Sequence, residues 1–423
     1  MKPNNGSKRW AFPLWMMMLL LFMATGLVAG LIIFREGLVV TNLNDLVPWG
    51  LWIAIDLSAI ALAAGAFTLS AAVYLLRRKE LMPLARTAVF VGFIGYTMAV
   101  LCLVMDIGRP DRFYMAWFNW NIHSPLWEVT MCVTFYLMVL TFEVLPLLGE
   151  ASWFKSRLPR PSHWLHNIHR AAPILAVVGL CLSILHQSSL GLAYGKLAAR
   201  PIWFRPGVTV LFFVSAVVAG PALVVVISRL ASWITPKAKV SSRLLNSVAR
   251  YVAWALLVYT GLRIWDMSVL LLSKDPLVTE GLAMLTNGTL AINFWVGEIA
   301  LGLLLPLFIL WHPRLRNQFR WQTLALFLVA TGLVAYRWDT NMVGQLMVVT
   351  LLPNQTAPLY TVYRPALIEI IVSIAIVSYG LLMLTLGIRY LGIVDHGPAA
   401  DPARSAQRDP SASKQPELAG EFR

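Results

Sequence analysis

The sequence predicts an all-α polytopic membrane protein with about ten transmembrane helices. Two observations predict it: 58% of the 423 residues are hydrophobic and only 13% charged, and the apolar residues fall into ten runs. Such a balance lies far outside that of a water-soluble domain. A helix needs about 20 apolar residues to cross a hydrocarbon core, and each run approaches or exceeds that length.

Taken in order, the runs cover 11–34, 48–76, 87–107, 125–148, 171–190, 207–229, 249–273, 289–311, 321–337 and 366–389. The first follows Lys2, Lys8 and Arg9 in the manner of a signal peptide. It runs past twenty apolar residues without a small-residue cleavage site, so it reads as a retained helix. Residues 1–390 therefore read as one ten-helix transmembrane domain. From 391 to 423 the composition turns to Pro, Ala, Ser, Asp, Arg and Gln without periodicity, as in a disordered tail.

Loop charge sets the orientation. Counted from an inside amino terminus, alternate loops hold 24 of the 34 Lys and Arg residues, and short cytoplasmic loops are the ones enriched in them. Both termini are thus expected in the cytoplasm of a bacterial inner membrane. The formal charge of +14 reads as this orientation signal, not as a nucleic-acid footprint.

Cys102, Cys132 and Cys181 lie within runs and lack CxxC spacing, which argues against disulfides and cysteine-held clusters. His186 alone among seven histidines lies in a run, so the pair of facing imidazoles that a bis-histidine haem requires is not expected. His163, His166 and His169 form an HxxHxxH series in a basic inner loop, readable as metal ligands on one helix face or, beside Arg160 and Arg170, as an interfacial helix.

Ionisable groups inside a membrane are expensive, and each is a candidate for function. Most fall toward the outer end: Asp56, Asp106 and Arg109, Glu128, His186 and Gln187, Arg263 and Asp266, Glu298, Arg337 and Asp339, and Glu369. Only Glu143 is clearly toward the inner side, about 22 Å along its helix from Glu128. Arg109 with Asp106, Arg263 with Asp266 and Arg337 with Asp339 are also readable as structural ion pairs. Asp56, Glu128, Glu298 and Glu369 have no cation nearby in sequence, so pairing would have to come from other helices.

Aromatic residues concentrate at the same end: Trp49 and Trp52, then Phe113, Tyr114, Trp117, Phe118 and Trp120, then Trp203 and Phe204. Much of this is the ordinary interfacial belt. The stretch from Arg109 to Trp127 is longer and more aromatic than a connection needs, and reads either as a lid over an apolar slot or as a docking surface for a soluble partner. A buried acid, a histidine and an aromatic wall open to lipid suit a quinone, with carboxylates and imidazole handling protons. With no expected ligand set for haem, iron-sulfur cluster or flavin, the electrons would come from a partner. The competing class is a proton-coupled transporter; a third is a scaffold that never touches quinone.

Four segments carry a family resemblance: Val47 to Asp56 (VPWGLWIAID), Asp106 to Arg109 (DIGR), Ser124 to Val129 (SPLWEV) followed by Cys132, and His186 to Gly191 (HQSSLG) with Pro201 to Phe204 beyond it. Together they resemble the NrfD/PsrC family of quinone-interacting membrane subunits, and within it the HybB type of hydrogenase complexes. The resemblance implies a haem-free anchor whose middle eight helices form two four-helix bundles flanked by the first and last helices. It implies a periplasmic iron-sulfur subunit and a catalytic subunit as partners, with hydrogenase favoured, and menaquinone or ubiquinone as substrate. It assigns Asp56, Asp106, Arg109, Glu128 and His186 to the quinone and proton region. Gln187, Trp49 and Trp52 lie beside them as binding residues, and Glu143, Glu298 and Glu369 are candidates for a proton path.

Overall fold

A computed structural model describes residues 5–234, 240–352 and 355–394. Among them, ten helices are long and apolar enough to cross a membrane: α1 (Ala11–Glu36), α2 (Leu51–Leu75), α3 (Lys79–Asp106), α4 (Pro125–Glu150), α5 (Ala172–Gly195), α6 (Gly207–Ile234), α7 (Ser242–Leu271), α8 (Asn293–Trp311), α9 (Phe319–Val343) and α10 (Leu367–Leu391). Each coincides with one of the ten apolar runs, because continuous hydropathy over a bilayer's width leaves the backbone no other way to satisfy its polar groups.

Helices α2 to α5 pack into one bundle and α6 to α9 into a second, as the family resemblance implied. α2 is the central element: it touches α3 and α5 in its own bundle, and α6 and α9 in the other. Bare backbone makes the seam possible. A Cβ on Gly65 would strike the carbonyl of Ala216, and one on Gly220 would strike the backbone at Gly65 and Ala66, so only paired glycines let α2 and α6 approach this closely. α1 and α10 pair with each other outside the bundles, and α10 in turn packs on α3.

Two departures from a plain helix array lie outside what the hydropathy pattern foretells. Residues Asn293–Leu304 of α8 wind as a π-helix, a rare form concentrated at functional sites. After α9 the chain forms an antiparallel hairpin, β1 (Met347–Leu352) with β2 (Gln355–Tyr360), Met347 opposite Tyr360. The hairpin is tied to the α5–α6 loop through Val349 N–H donating to the Ala199 carbonyl at 2.8 Å. Its first strand, Met-Val-Val-Thr-Leu-Leu, is rich in the branched residues that favour a pleated surface.

Of the expected tail, residues 395–423 lie outside the described residues. The four before them belong to the bundle: Ile393 and Val394 are buried, and the Ile393 carbonyl accepts from Thr87 Oγ1 at 2.9 Å. The side chains of His166 and His169 also lie outside what is described.

Candidate functional site

At the end of the first bundle opposite the basic loops, α2, α3, α4 and α5 enclose a cavity of about 400 Å³. Its wall is apolar, with Ile53, Leu103, Val104, Val129 and Val133 among its residues, and is interrupted by two carboxylates, Asp56 and Asp106. Ile107, Phe113 and Leu126 line the cavity and are themselves exposed, so it opens sideways between α3 and α4, toward lipid. Asp56 is buried one and a half turns into α2, and its Oδ1 finds no hydrogen-bond partner among the described residues; nor does Asp106 Oδ1. An unpaired polar atom in an apolar wall is costly unless a ligand meets it.

The roof of the cavity is a cross-braced aromatic nest. Trp49 stacks on Trp203 at 5.9 Å between ring centroids and leans on Tyr194 at 5.2 Å. Tyr194 donates to Asn341 Oδ1 at 2.7 Å, while Asn341 and Gln345 both donate to the Trp49 carbonyl. Trp203 Nε1 donates to the Thr340 carbonyl at 2.6 Å. Arg200 stacks over Trp203 and donates to the carbonyls of Gly344 and Leu46, at 2.8 and 3.0 Å. Burial pulls its guanidinium down from the ordinary value. The start of α2, the α5–α6 loop and the end of α9 are thereby locked to one another, which fixes the roof in place.

Behind this cavity, toward the bundle centre, sits His186. It is fully buried, shares a hydrogen bond of 2.9 Å between Nδ1 and Tyr96 Oη, and leaves Nε2 without a partner among the described residues. It is not part of the cavity wall. Tyr96 meets Tyr136 edge-on at 4.5 Å, and the Tyr136 hydroxyl is likewise unpartnered among the described residues. Seven residues on from Tyr136, on the same face of α4, Glu143 leaves Oε2 without a partner among the described residues. It opens into a second cavity of about 210 Å³ at the basic-loop end, lined also by Tyr74 and by Arg86 and Glu150, which pair at 2.8 Å. Tyr96 and Tyr136 escaped the sequence reading because they carry no formal charge. A tyrosine inside an apolar run, in register with an acid two turns away, was the available signal.

Other expected residues fall elsewhere. Arg109 is exposed and pairs with Asp111, two bonds of 3.0 Å, instead of Asp106. That bond holds the Asp111 carboxyl below its ordinary range. Gly108, with φ of 72°, turns the chain there, and α3 has already ended. Glu128 occupies the first turn of α4 beside the wall residue Val129, where the helix dipole favours an acid, but does not line the cavity. The loop beyond Arg109 lies over the lateral opening: Pro110 and Phe113 line the cavity, and Trp127 Nε1 holds the Ala116 carbonyl at 2.9 Å.

Trp52 is buried against α1 and α10, its Nε1 donating to the Glu369 carbonyl at 3.2 Å. Glu369 itself is saturated. It accepts from Asn42 N–H at 2.8 Å, from Ala366 N–H at 3.1 Å and from the Tyr363 hydroxyl, whose oxygen also accepts Leu51 N–H at 2.9 Å. Burial, then the bond to the Glu369 carboxylate, raise the Tyr363 hydroxyl well above its ordinary pKa. This arrangement is a latch joining α2 and α10.

In the second bundle, Arg263 donates to Glu298 at 2.7 Å and to Asp266 at 3.1 Å, and Arg205 grips Asp266 by two bonds of 2.7 and 2.9 Å. The expected Arg263–Asp266 pair is present, and Glu298 draws its cation from another helix. The Arg337–Asp339 pair is absent. Arg337 is buried over the Phe212 ring at 3.6 Å and donates to the Phe212 carbonyl, to Ser215 and to Gln187. Neither Asp339 oxygen finds a hydrogen-bond partner among the described residues. Two residues apart on a helix, the side chains point to different sides.

The fold and site define an integral membrane protein that offers a rigid-roofed, acid-bearing cavity to the lipid phase. The chain belongs to the family described as "Polysulphide reductase, NrfD", whose profile matches residues 39–349. The resemblance read from the motifs therefore holds at the level of the family. The chain is 34% identical to the integral membrane subunit of menaquinone reductase from Nitratidesulfovibrio vulgaris, over 90% of this chain and 92% of that one. It is 27% identical to the probable Ni/Fe-hydrogenase 2 b-type cytochrome subunit of Escherichia coli, over 72% and 75%. With a selenate reductase subunit from Mesobacillus selenatarsenatis it shares 23% identity, over 74% and 78%. All three relatives are named as subunits of oxidoreductases, the first as an integral membrane subunit.

Proposed function

We propose that the chain is the quinone-reactive membrane anchor of a respiratory oxidoreductase. It passes electrons between an iron-sulfur partner on the outer face and menaquinone in the membrane. One observation carries the reading: a cavity of about 400 Å³, open to lipid between α3 and α4, in which two carboxylates stand in an otherwise apolar wall. That volume suits a flat ring system with a lipid tail. The name of the relative at 34% identity favours menaquinone over ubiquinone, and a menaquinone reductase over the hydrogenase that the motifs suggested. The relatives' names, those of oxidoreductase subunits, favour this reading over a proton-coupled transporter.

Reduction of a quinone takes two electrons and two protons. Asp56, at the inner wall, is the proton donor to one carbonyl, and Asp106, near the mouth, serves the other. Trp49 and Tyr194 hold the ring flat beneath the roof. His186 acts from behind as a relay through Tyr96 and not as a direct ligand. Glu143, Tyr136, Tyr96 and His186 form a polar line from the basic-loop cavity toward Asp56, with an unpartnered atom at Glu143, Tyr136 and His186 among the described residues. Protons for the quinone enter by this line from the cytoplasmic side. Glu298 and Glu369, each tied to neighbours, hold the fold.

The test uses the complex isolated with its partners from native membranes. Asp56→Asn lowers menaquinone-linked turnover by about 100-fold or more, the usual worth of a positioned acid, while partner subunits and their redox centres remain attached. Turnover within a factor of two of the parent would overturn the assignment. In sealed liposomes Glu143→Gln abolishes proton uptake from the basic-loop side.

A further inference from the structure

We propose that the groove between the two bundles at the basic-loop end is a binding site for one anionic phospholipid. At about 490 Å³ it is as roomy as the acid-bearing cavity, and it belongs to neither bundle alone. One wall is the last two turns of α2, with Thr68, Leu75 and Leu76; the other is the start of α7, with Val248 and Tyr251, and Leu180 of α5 closes the back. Leu75, Leu76 and Tyr251 are exposed, so the groove faces lipid.

Most of the charge gathers at the basic-loop end, and Arg250 stands level with the lining residue Tyr251. Arg77 and Arg78 follow directly on the α2 wall, and Arg78 lines the groove, its one partner being the exposed Glu80 at 3.1 Å. On α7, Arg243 and Arg250 lie one turn to either side of the lining residue Ser247, and therefore on the same helix face. Arg77, Lys79, Arg243 and Arg250 are unpaired among the described residues, and Glu80 is the sole acid at this rim among them. From Leu75 to Thr68 the α2 wall rises about 10 Å into the membrane.

A basic mouth above an apolar slot matches an amphiphile with a negative head and acyl chains. Basic clefts between transmembrane helices on the cytoplasmic side take such head groups. Water would leave the slot walls unfilled, and a zwitterionic lipid would leave the cations unbalanced. An anionic lipid satisfies both and fills the space between α2, α5 and α7.

The experiment delipidates the purified complex in mild detergent, adds phosphatidylglycerol or phosphatidylcholine of identical chains, and counts retained lipids by native mass spectrometry. One phosphatidylglycerol stays bound under conditions that strip phosphatidylcholine. Arg78→Gln with Arg243→Gln lowers its occupancy at least tenfold, and Ser247→Trp, which fills the slot, does the same with the cations intact. Quinone-linked turnover reports that each variant is folded. Equal retention of the two lipids by the parent chain, or retention of phosphatidylglycerol by folded variants, overturns the proposal.

Discussion

Replacing Arg263 by methionine removes the cation that Glu298 relies on, and the structure sets the size of the consequence. Arg263 touches two acids, but they are not equally dependent on it. Asp266 keeps both of its bonds to Arg205, so its charge stays matched. Glu298 accepts from Arg263 through Oε1, and Oε2 has no partner among the described residues. It becomes a buried carboxylate without a counter-charge, and breaking a buried pair in this way costs about 3–5 kcal/mol. Glu298→Gln alone is milder, because Arg263 retains Asp266; the loss of one charge-assisted hydrogen bond is about 1.5–3 kcal/mol. With both substitutions no charge is orphaned, so the double variant is no less stable than Arg263→Met alone. The coupling between the sites is then at least the cost of Glu298→Gln, about 1.5–3 kcal/mol, in the upper range for directly bonded residues. The assay is reversible unfolding of the complex in bicelles, followed by tryptophan fluorescence for the parent and the three variants. Additive losses in the double variant would refute the argument, because Glu298 would then not depend on Arg263.

Arg337→Met in the same assay costs less than about 2 kcal/mol despite complete burial, since no carboxylate loses its partner and methionine refills part of the space over Phe212. Tyr363→Phe leaves Glu369 one donor short and frees the Leu51 N–H, a loss of about 1–3 kcal/mol that also speeds proteolysis between α1 and α2. A raised tyrosine pKa contributes stability that is whole below the free tyrosine value, near 10, and declines above it. Unfolding of the parent is therefore insensitive to Tyr363 ionisation from about pH 6 to 9, and titration to about pH 11 shows a loss that Tyr363→Phe lacks. Gly220→Leu forces α2 and α6 apart and abolishes accumulation of the complex in membranes, whereas Gly261→Leu, on an open face of α7, accumulates normally.

The ten helices were legible because each announces itself locally, by a largely apolar run of about twenty residues. The hairpin was not: Met347 to Leu352 is rich in branched residues, but six residues at the end of a membrane helix read equally well as a loop until a partner strand is known. Half of the candidate site was visible for a related reason. A charge at Asp56 or Asp106 stands out against leucine and valine, and the tryptophans at 49 and 203 sit beside motif residues. What charge alone does not convey is direction. Arg109 and Asp106 are neighbours along the chain, yet the turn at Gly108 sends the guanidinium to Asp111. Glu369 and Asp56 look alike in sequence, and only the fold shows that one is saturated by three donors from two segments while the other faces a cavity.

The pairing of α1 with α10 also dictates a timetable for synthesis. Trp15 Nε1 bonds Thr385 Oγ1 at 3.2 Å across 370 positions of sequence. α1 must therefore wait for α10 while the ribosome makes everything between. When α10 at last arrives it brings Glu369 to Asn42 and completes the latch over the start of α2. The acid-bearing cavity, one of whose walls is α2, acquires this brace only once α10 is made, so a chain that stalls before α10 leaves the start of α2 unlatched.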